Sequence, residues 1–386
     1  MSAEFIYLSQ LARSYLAGRA TAAPPPPAGM DWEKAVRLVR AHNLATSLAP
    51  LIVDSSAPES VKTPLESQLR NLYRCGARMW FESVRFLPAL SEAGIESVLL
   101  KGLALAHTVY SRPEHRMSVD IDVLVPRSSL DEALEVLREL GYVRSRKLRH
   151  ATFYERHHFH LVLENANNIV IELHWNLSRP GDYCQFDLDG FFARSRSIEL
   201  DGVSVRIPSD EDQMLHAACQ SLRHGYADLR RVLDAALLLK HGSVDPALLS
   251  GLARRQGMAT SLWVLLELQR GTLGEAIPSV LEEGVRPVAV VRRCLESLDL
   301  PVRSASQDAV RRPGFKKLIT FLCAPDLTTA LLELKRYVFP ERGQWLDMGY
   351  DPANLPGRMQ RCTIAVRRCL SLVKILGYQG LRLISG

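Results

Sequence analysis

The run HRMSVDIDVLVP, residues 115–126, sets two carboxylates inside a stretch that is otherwise apolar. Alternate side chains of a strand share one face. Read as a strand, Val119, Ile121, Val123 and Val125 face the core, and Asp120 and Asp122 project together on the other side. Two such carboxylates repel each other, and burying them unpaired costs several kcal/mol. Either water reaches them or a positive charge sits between them.

A divalent cation suits that arrangement. Mg²⁺ takes hard oxygen ligands and is commonly held by one or two carboxylates together with substrate phosphates. The run IVIELHWNL supplies a third acid. Ile169, Ile171 and Leu173 share one face there, and Glu172 and His174 the other. If that strand lies beside the Asp120/Asp122 strand, three carboxylates converge. Mg²⁺ or Mn²⁺ is the cofactor this expectation names.

Upstream, VLLKGLALA reads as a strand running into Lys101-Gly102 and then a helix. A glycine turn lets backbone N–H groups approach a phosphate, and a helix start favours anions. Lys101 adds a mobile charge, and Arg112, His115 and Arg116 follow. Lys101, Gly102 and Arg116 are therefore the expected phosphate contacts. An acid pair, a third acid and a cationic glycine turn are the parts of metal-assisted phosphoryl or nucleotidyl transfer.

The surrounding chain reads as α+β, a small mixed sheet flanked by helical regions. Residues 1–93 are expected to be helical, 94–208 to hold the α/β core, and 209–386 to be mainly helical. Phe5, Leu8, Leu11, Ala12, Tyr15 and Leu16 recur at helical spacing, so the N-terminus reads as an amphipathic helix and not as a leader peptide. Gly94 is the expected stop of a helix that precedes the core. Residues 128–142 read as a capped helix ending at Gly141. HFHLVLEN and NIVIELHWNL flank ANN as a hairpin does, and Asp201-Gly202 marks a second hairpin. Ser209 with Asp212 fits a capping box.

The sequence LLKGLALAHTVYSRPEHRMSVDIDVLV, followed by IELHW, resembles the uncharacterised nucleotidyltransferase family of the DNA polymerase β-like superfamily. The resemblance covers roughly residues 94–240 and includes HAACQSLRHGYADLRRVLDAALLL, with His216, His224, Arg230 and Asp234 as polar marks. It implies that Lys101-Gly102 takes the turn position, Asp120 and Asp122 the Asp-x-Asp position, and Glu172 that of the third acid. The superfamily usually has Gly-Ser or Gly-Gly at the turn and fewer residues between turn and acids than the 17 found here. The implied reaction moves a nucleoside monophosphate from a nucleoside triphosphate, ATP by default, to a hydroxyl group. The implied acceptor is a small molecule, peptide or protein ahead of nucleic acid. His174, Asp228 and Arg231 are candidate contacts to acceptor or nucleotide.

Two other readings stay open. His158, His160, Glu172 and His174 could hold Zn²⁺ and make a hydrolase. Alternatively, an inactive transferase fold could serve as a binding module. Its contact would be the basic tail. From Arg286 to the C-terminus, 17 Lys and Arg stand against 8 Asp and Glu, and after Asp351 there is no acid. Such a tail would meet an anionic partner. The seven cysteines are scattered with no C-x-x-C pair, and no run of 18 apolar residues occurs. A reducing cytoplasm and no transmembrane helix are therefore expected.

Overall fold

The computed structural model describes residues 1–18, 23–145, 157–282, 288–299, 319–340, 345, 355–357 and 359–370. The fold is α+β. Four helices come first: α1 (Ala3–Leu16), α2 (Trp32–Ala41), α3 (Ala45–Val53) and α4 (Glu59–Glu92). Among the described residues every strand lies between Val98 and Ile207: β1 (Val98–Leu99), β2 (Ile121–Leu124), β3 (Val143–Arg144), β4 (His160–Glu164), β5 (Val170–His174), β6 (Arg196–Leu200) and β7 (Val203–Ile207). Helices α5 (Lys101–Ala106), α6 (Leu130–Glu139) and α7 (Leu188–Arg194) sit between them. Then follow α8 (Asp210–Arg223), α9 (Leu229–His241), α10 (Pro246–Arg255), α11 (Ala259–Leu273), α12 (Val288–Leu298) and α13 (Leu327–Val338). Residues 359–370 are helical, and the remainder of the basic tail, 371–386, lies outside the described residues.

The first five strands form one mixed sheet in the order β1-β2-β5-β4-β3. β2 and β5 are parallel, and the other neighbours are antiparallel. The hairpin around ANN is β4–β5, and the one at Asp201-Gly202 is β6–β7, which stands as a separate two-stranded sheet.

Each face of the main sheet is covered by helices. Leu99, Ile121, Val123, Leu161, Ile171 and Leu173 pack with Phe86 and Leu90 of α4 and Leu130 and Leu137 of α6. Val98, Leu100 and Leu124 join a larger core with residues of α1–α3 and α8–α12. The N-terminal helices and α8–α12 thus share one hydrophobic core, while Tyr337 and Val338 of α13 pack with Ala365 in a separate cluster. Each fully buried Leu or Phe in the larger core contributes roughly 1.5–3 kcal/mol. All six apolar positions expected on the inner side of α1 are buried.

Three local expectations need correction. Val119 does not face the core; it is 70% exposed, because β2 begins only at Ile121. Ser129 stands at the N-cap of α6 without a side-chain hydrogen bond, so that helix relies on its packed face. Ser209 Oγ does accept from Asp212 N at 3.2 Å, but the Asp212 carboxylate turns to Arg194 instead of closing the box. A charged partner binds a carboxylate more strongly than a neutral N–H does.

Candidate active site

The parallel pairing of β2 and β5 decides the geometry. Asp122 is in register with Glu172, and Leu124 with His174. On the far side of β5, His160 of β4 is in register with His174. One face of the sheet therefore carries Asp122, Glu172, His174 and His160 across three adjacent strands. Asp120 lies one residue before β2, half-buried, and accepts from Ser118 Oγ at 3.0 Å.

The positive charge among these acids comes from the chain. Lys101, at the corner between β1 and α5, donates to Asp122 Oδ1 at 2.5 Å, and its Nζ lies 3.6 Å from Glu172 Oε2. His174, fully buried, donates from Nε2 to the same Asp122 oxygen at 3.0 Å and lies 3.4 Å from Glu172 Oε2. Its Nδ1 is buried and without a partner among the described residues. His160 Nε2 is 3.8 Å from Glu172 Oε1.

Electrostatics follow from this packing. Burial pushes the Asp122 carboxyl up, but the Lys101 charge and the His174 hydrogen bond outweigh it, and its pKa falls below the usual value. For Glu172, burial is likewise outweighed by His174 and Lys101, and its pKa drops to about 2. Asp120 goes the other way: burial, then the charges of Asp122 and Glu172, raise it. Burial opposes the charge on Lys101, yet Asp122 and Glu172 hold its pKa above normal. His158, His160 and His216 are kept neutral, first by burial and then by neighbouring positive charge or imidazoles.

The expected site residues separate into two groups. Asp120, Asp122, Glu172 and His174 gather as the strand pattern anticipates. The expected phosphate contacts Lys101, Gly102 and Arg116 each meet other parts of the chain. Lys101 points into the acids, because two carboxylates offer it more than solvent does. It does so from a left-handed backbone (φ +50°), a conformation that costs a non-glycine residue about 1–2 kcal/mol. Arg116 is buried and bound on two nitrogens by Asp234, at 2.8 and 3.0 Å. Gly102 is required by a neighbour: a Cβ there would meet Ser118 Cβ and Oγ at 2.9 Å. Asp228 caps α9 by accepting from Arg230 N at 2.9 Å, and Arg231 donates to it at 2.9 Å. Asp228 Oδ2 also lies 3.6 Å from Arg230 Nη2.

A cavity of about 830 Å³ opens beside the acids. Lys101, Asp122 and Glu172 line its sheet side, and Arg223, Arg230 and Arg231 its helical side. Arg223 escaped the sequence reading. The signal was a polar stripe on α8: His216, Gln220 and Arg223 recur at helical spacing, and all three line the cavity.

The family model described as uncharacterised nucleotidyltransferase matches residues 28–274. The chain belongs to this nucleotidyltransferase family. The match reaches beyond residues 94–240 on both sides, so α2–α4 and most of the helices after the sheet are family territory. No curated protein matches the sequence. Among solved structures, the chain is similar to an antigenic nucleotidyltransferase-like protein from Paracoccidioides brasiliensis, at 14% identity and a TM-score of 0.34, covering 55% of this chain and 95% of that one. Among the described residues, no helix is long and apolar enough to cross a membrane.

The side chains suit a hard cation. Asp120, Asp122 and Glu172 offer carboxylate oxygens, the donor type such an ion takes. A second ligand set overlaps the first: His160, Glu172 and His174 each bring one ligand atom within 4.8 Å of the others.

Proposed function

We propose that this nucleotidyltransferase family member moves a nucleoside monophosphate from a nucleoside triphosphate, ATP by default, to a hydroxyl group of a small molecule, peptide or protein. The observation that carries the reading is the register of Asp122 with Glu172 on parallel strands at the cavity edge. Asp120, Asp122 and Glu172 would hold Mg²⁺ or Mn²⁺. The bound ion would supply Lewis-acid stabilisation of the charge that develops on the phosphate oxygens.

The chain's own residues do the rest. The cavity aligns the acceptor hydroxyl with the α-phosphorus. The hydroxyl oxygen forms a bond to that phosphorus, the bond to the bridging oxygen of the β-phosphate breaks, and pyrophosphate leaves. Asp120, the acid at the open end of the cluster, takes the hydroxyl proton. His174 fixes the Asp122 carboxylate. Lys101 turns from Asp122 to the phosphate oxygens and stabilises them there. The cytoplasm is the proposed location, and the basic tail is the proposed contact for an anionic partner.

Incubation with each α-³²P-labelled nucleoside triphosphate, Mg²⁺ and cell extract tests the reading. The native chain should pass label to an acceptor, and Asp122→Asn should not. No transfer with any nucleotide, despite Mn²⁺ binding seen by electron paramagnetic resonance, would favour the binding module instead.

The His160–Glu172–His174 set supports one alternative, a zinc site. Purified protein would then carry one zinc per chain and lose it in His160→Ala. Zinc-free protein that still binds Mn²⁺ excludes that alternative.

A further inference from the structure

The start of α9 carries more positive charge than its neighbours neutralise. Three guanidiniums meet two carboxylates there. Asp234 is taken up by Arg116 on both oxygens and also accepts from Tyr110 Oη at 2.7 Å. Asp228 Oδ2 accepts from Arg231 at 2.9 Å and from Asn43 at 3.3 Å. Arg230 is left with that same oxygen at 3.6 Å. Its Nε is buried and has no hydrogen-bond partner among the described residues. Native proteins rarely leave a buried charged donor open. Burial and the Arg116 charge both pull the Arg230 pKa down, as expected of a cation short of counter-charge.

The location narrows what would fill this gap. Arg230 lines the cavity that also holds Lys101, Gly102 and Asp122. Arg116, whose charge Arg230 feels, has Nη1 3.2 Å from the position of a Cβ on Gly102. Arg230 and the Lys101-Gly102 corner thus border one cavity. At the end of α8, Arg223 lines the same cavity, and its buried Nη1 is also without a partner among the described residues. Guanidinium groups bind phosphate by planar paired hydrogen bonds.

We propose that Arg230 anchors an anion subsite on the helical wall of the cavity, and that this subsite takes the polyphosphate tail of the nucleoside triphosphate. The assignment to a nucleotide rests on the transferase reading above. The existence of an anion subsite does not.

Calorimetric titration of the full chain with sodium tripolyphosphate in EDTA tests the subsite without any metal. Native protein should bind tripolyphosphate, and saturating ATP should displace it. Arg230→Gln should weaken binding about tenfold or more. Arg230→Lys keeps a charge beside Asp228 but loses the planar fork, so it should weaken binding less, and it carries the test if the glutamine variant does not fold. Both variants should bind Mn²⁺ as the native chain does. Absence of tripolyphosphate binding by the native chain, or unchanged affinity in the variants, overturns the proposal. Simultaneous binding of ATP and tripolyphosphate also overturns it, because the subsite would then serve an acceptor phosphate. Tripolyphosphate binding displaced by ATP, together with no Mn²⁺ binding, would leave the subsite standing and remove the metal-dependent reaction.

Discussion

Lys101 and Asp122 form a 2.5 Å ion pair at the point where a metal-binding cluster would bring its cation. The lysine ammonium and a divalent ion compete for the same oxygens. Removing the ammonium as Lys101→Met should therefore tighten Mn²⁺ binding, by about tenfold or more at the short distances involved. The same change should lower label transfer, because the phosphates lose their mobile cation. Manganese titration by electron paramagnetic resonance reads the first effect. Weaker Mn²⁺ binding in the variant would show that Lys101 supports the site instead of competing for it.

The Arg116–Asp234 pair joins the segment before β2 to α9 and is buried at both ends. Cutting Asp234 to Ala leaves Arg116 and the Tyr110 hydroxyl without their acceptor. The expected cost is roughly 3–5 kcal/mol of unfolding free energy, measured by urea titration. An Arg116→Met, Asp234→Leu double variant should recover much of that loss, since no lone charge stays buried. Equal destabilisation in single and double variants would contradict the account.

Gly102 is held to glycine by Ser118. Gly102→Ala should cost roughly 1–3 kcal/mol, because the new methyl group meets Ser118 Cβ and Oγ at 2.9 Å. Adding Ser118→Gly removes both atoms and should return part of the stability. Thermal melts of the two variants decide whether the clash, and not the helix start, sets this position.

Acid should weaken the fold before its carboxylates titrate. Burial, then Arg179, lowers His158 from 6.5 to about 3, and burial, then His174, lowers His160 further. An unfolded chain binds protons at these positions near pH 6.5, while the folded chain does so only near 3 or below. Stability is therefore full above about pH 6.5 and falls as the pH drops toward 3. The slope is at most about 1.4 kcal/mol per pH unit for each histidine. Glu172, lowered from 4.5 to about 2, adds its own loss only below about pH 4.5. Urea unfolding at pH 7.5, 6.0 and 5.0 should show the decline, and His158→Asn should flatten it. A flat profile in the native chain would mean that these imidazoles are not held neutral.

The sequence alone determined many of the elements and most of their inward faces, though not that of Val119. Alternation along IVIELHWNL put Glu172 and His174 on one face, and both lie there. The hairpins at ANN and Asp201-Gly202 were legible because turn residues and strand periodicity are local signals. The apolar side of α1 was legible for the same reason. Only the tertiary structure decided that β5 lies parallel to β2 with Asp122 opposite Glu172, and that Lys101 enters the cluster they form. It alone sent Arg116 to Asp234, 118 residues away, and left Arg230 with a donor open among the described residues. Periodicity reports which way a side chain faces within its own element. Which charge meets which depends on distances between elements far apart in the chain, and a buried cation settles wherever folding brings it a carboxylate.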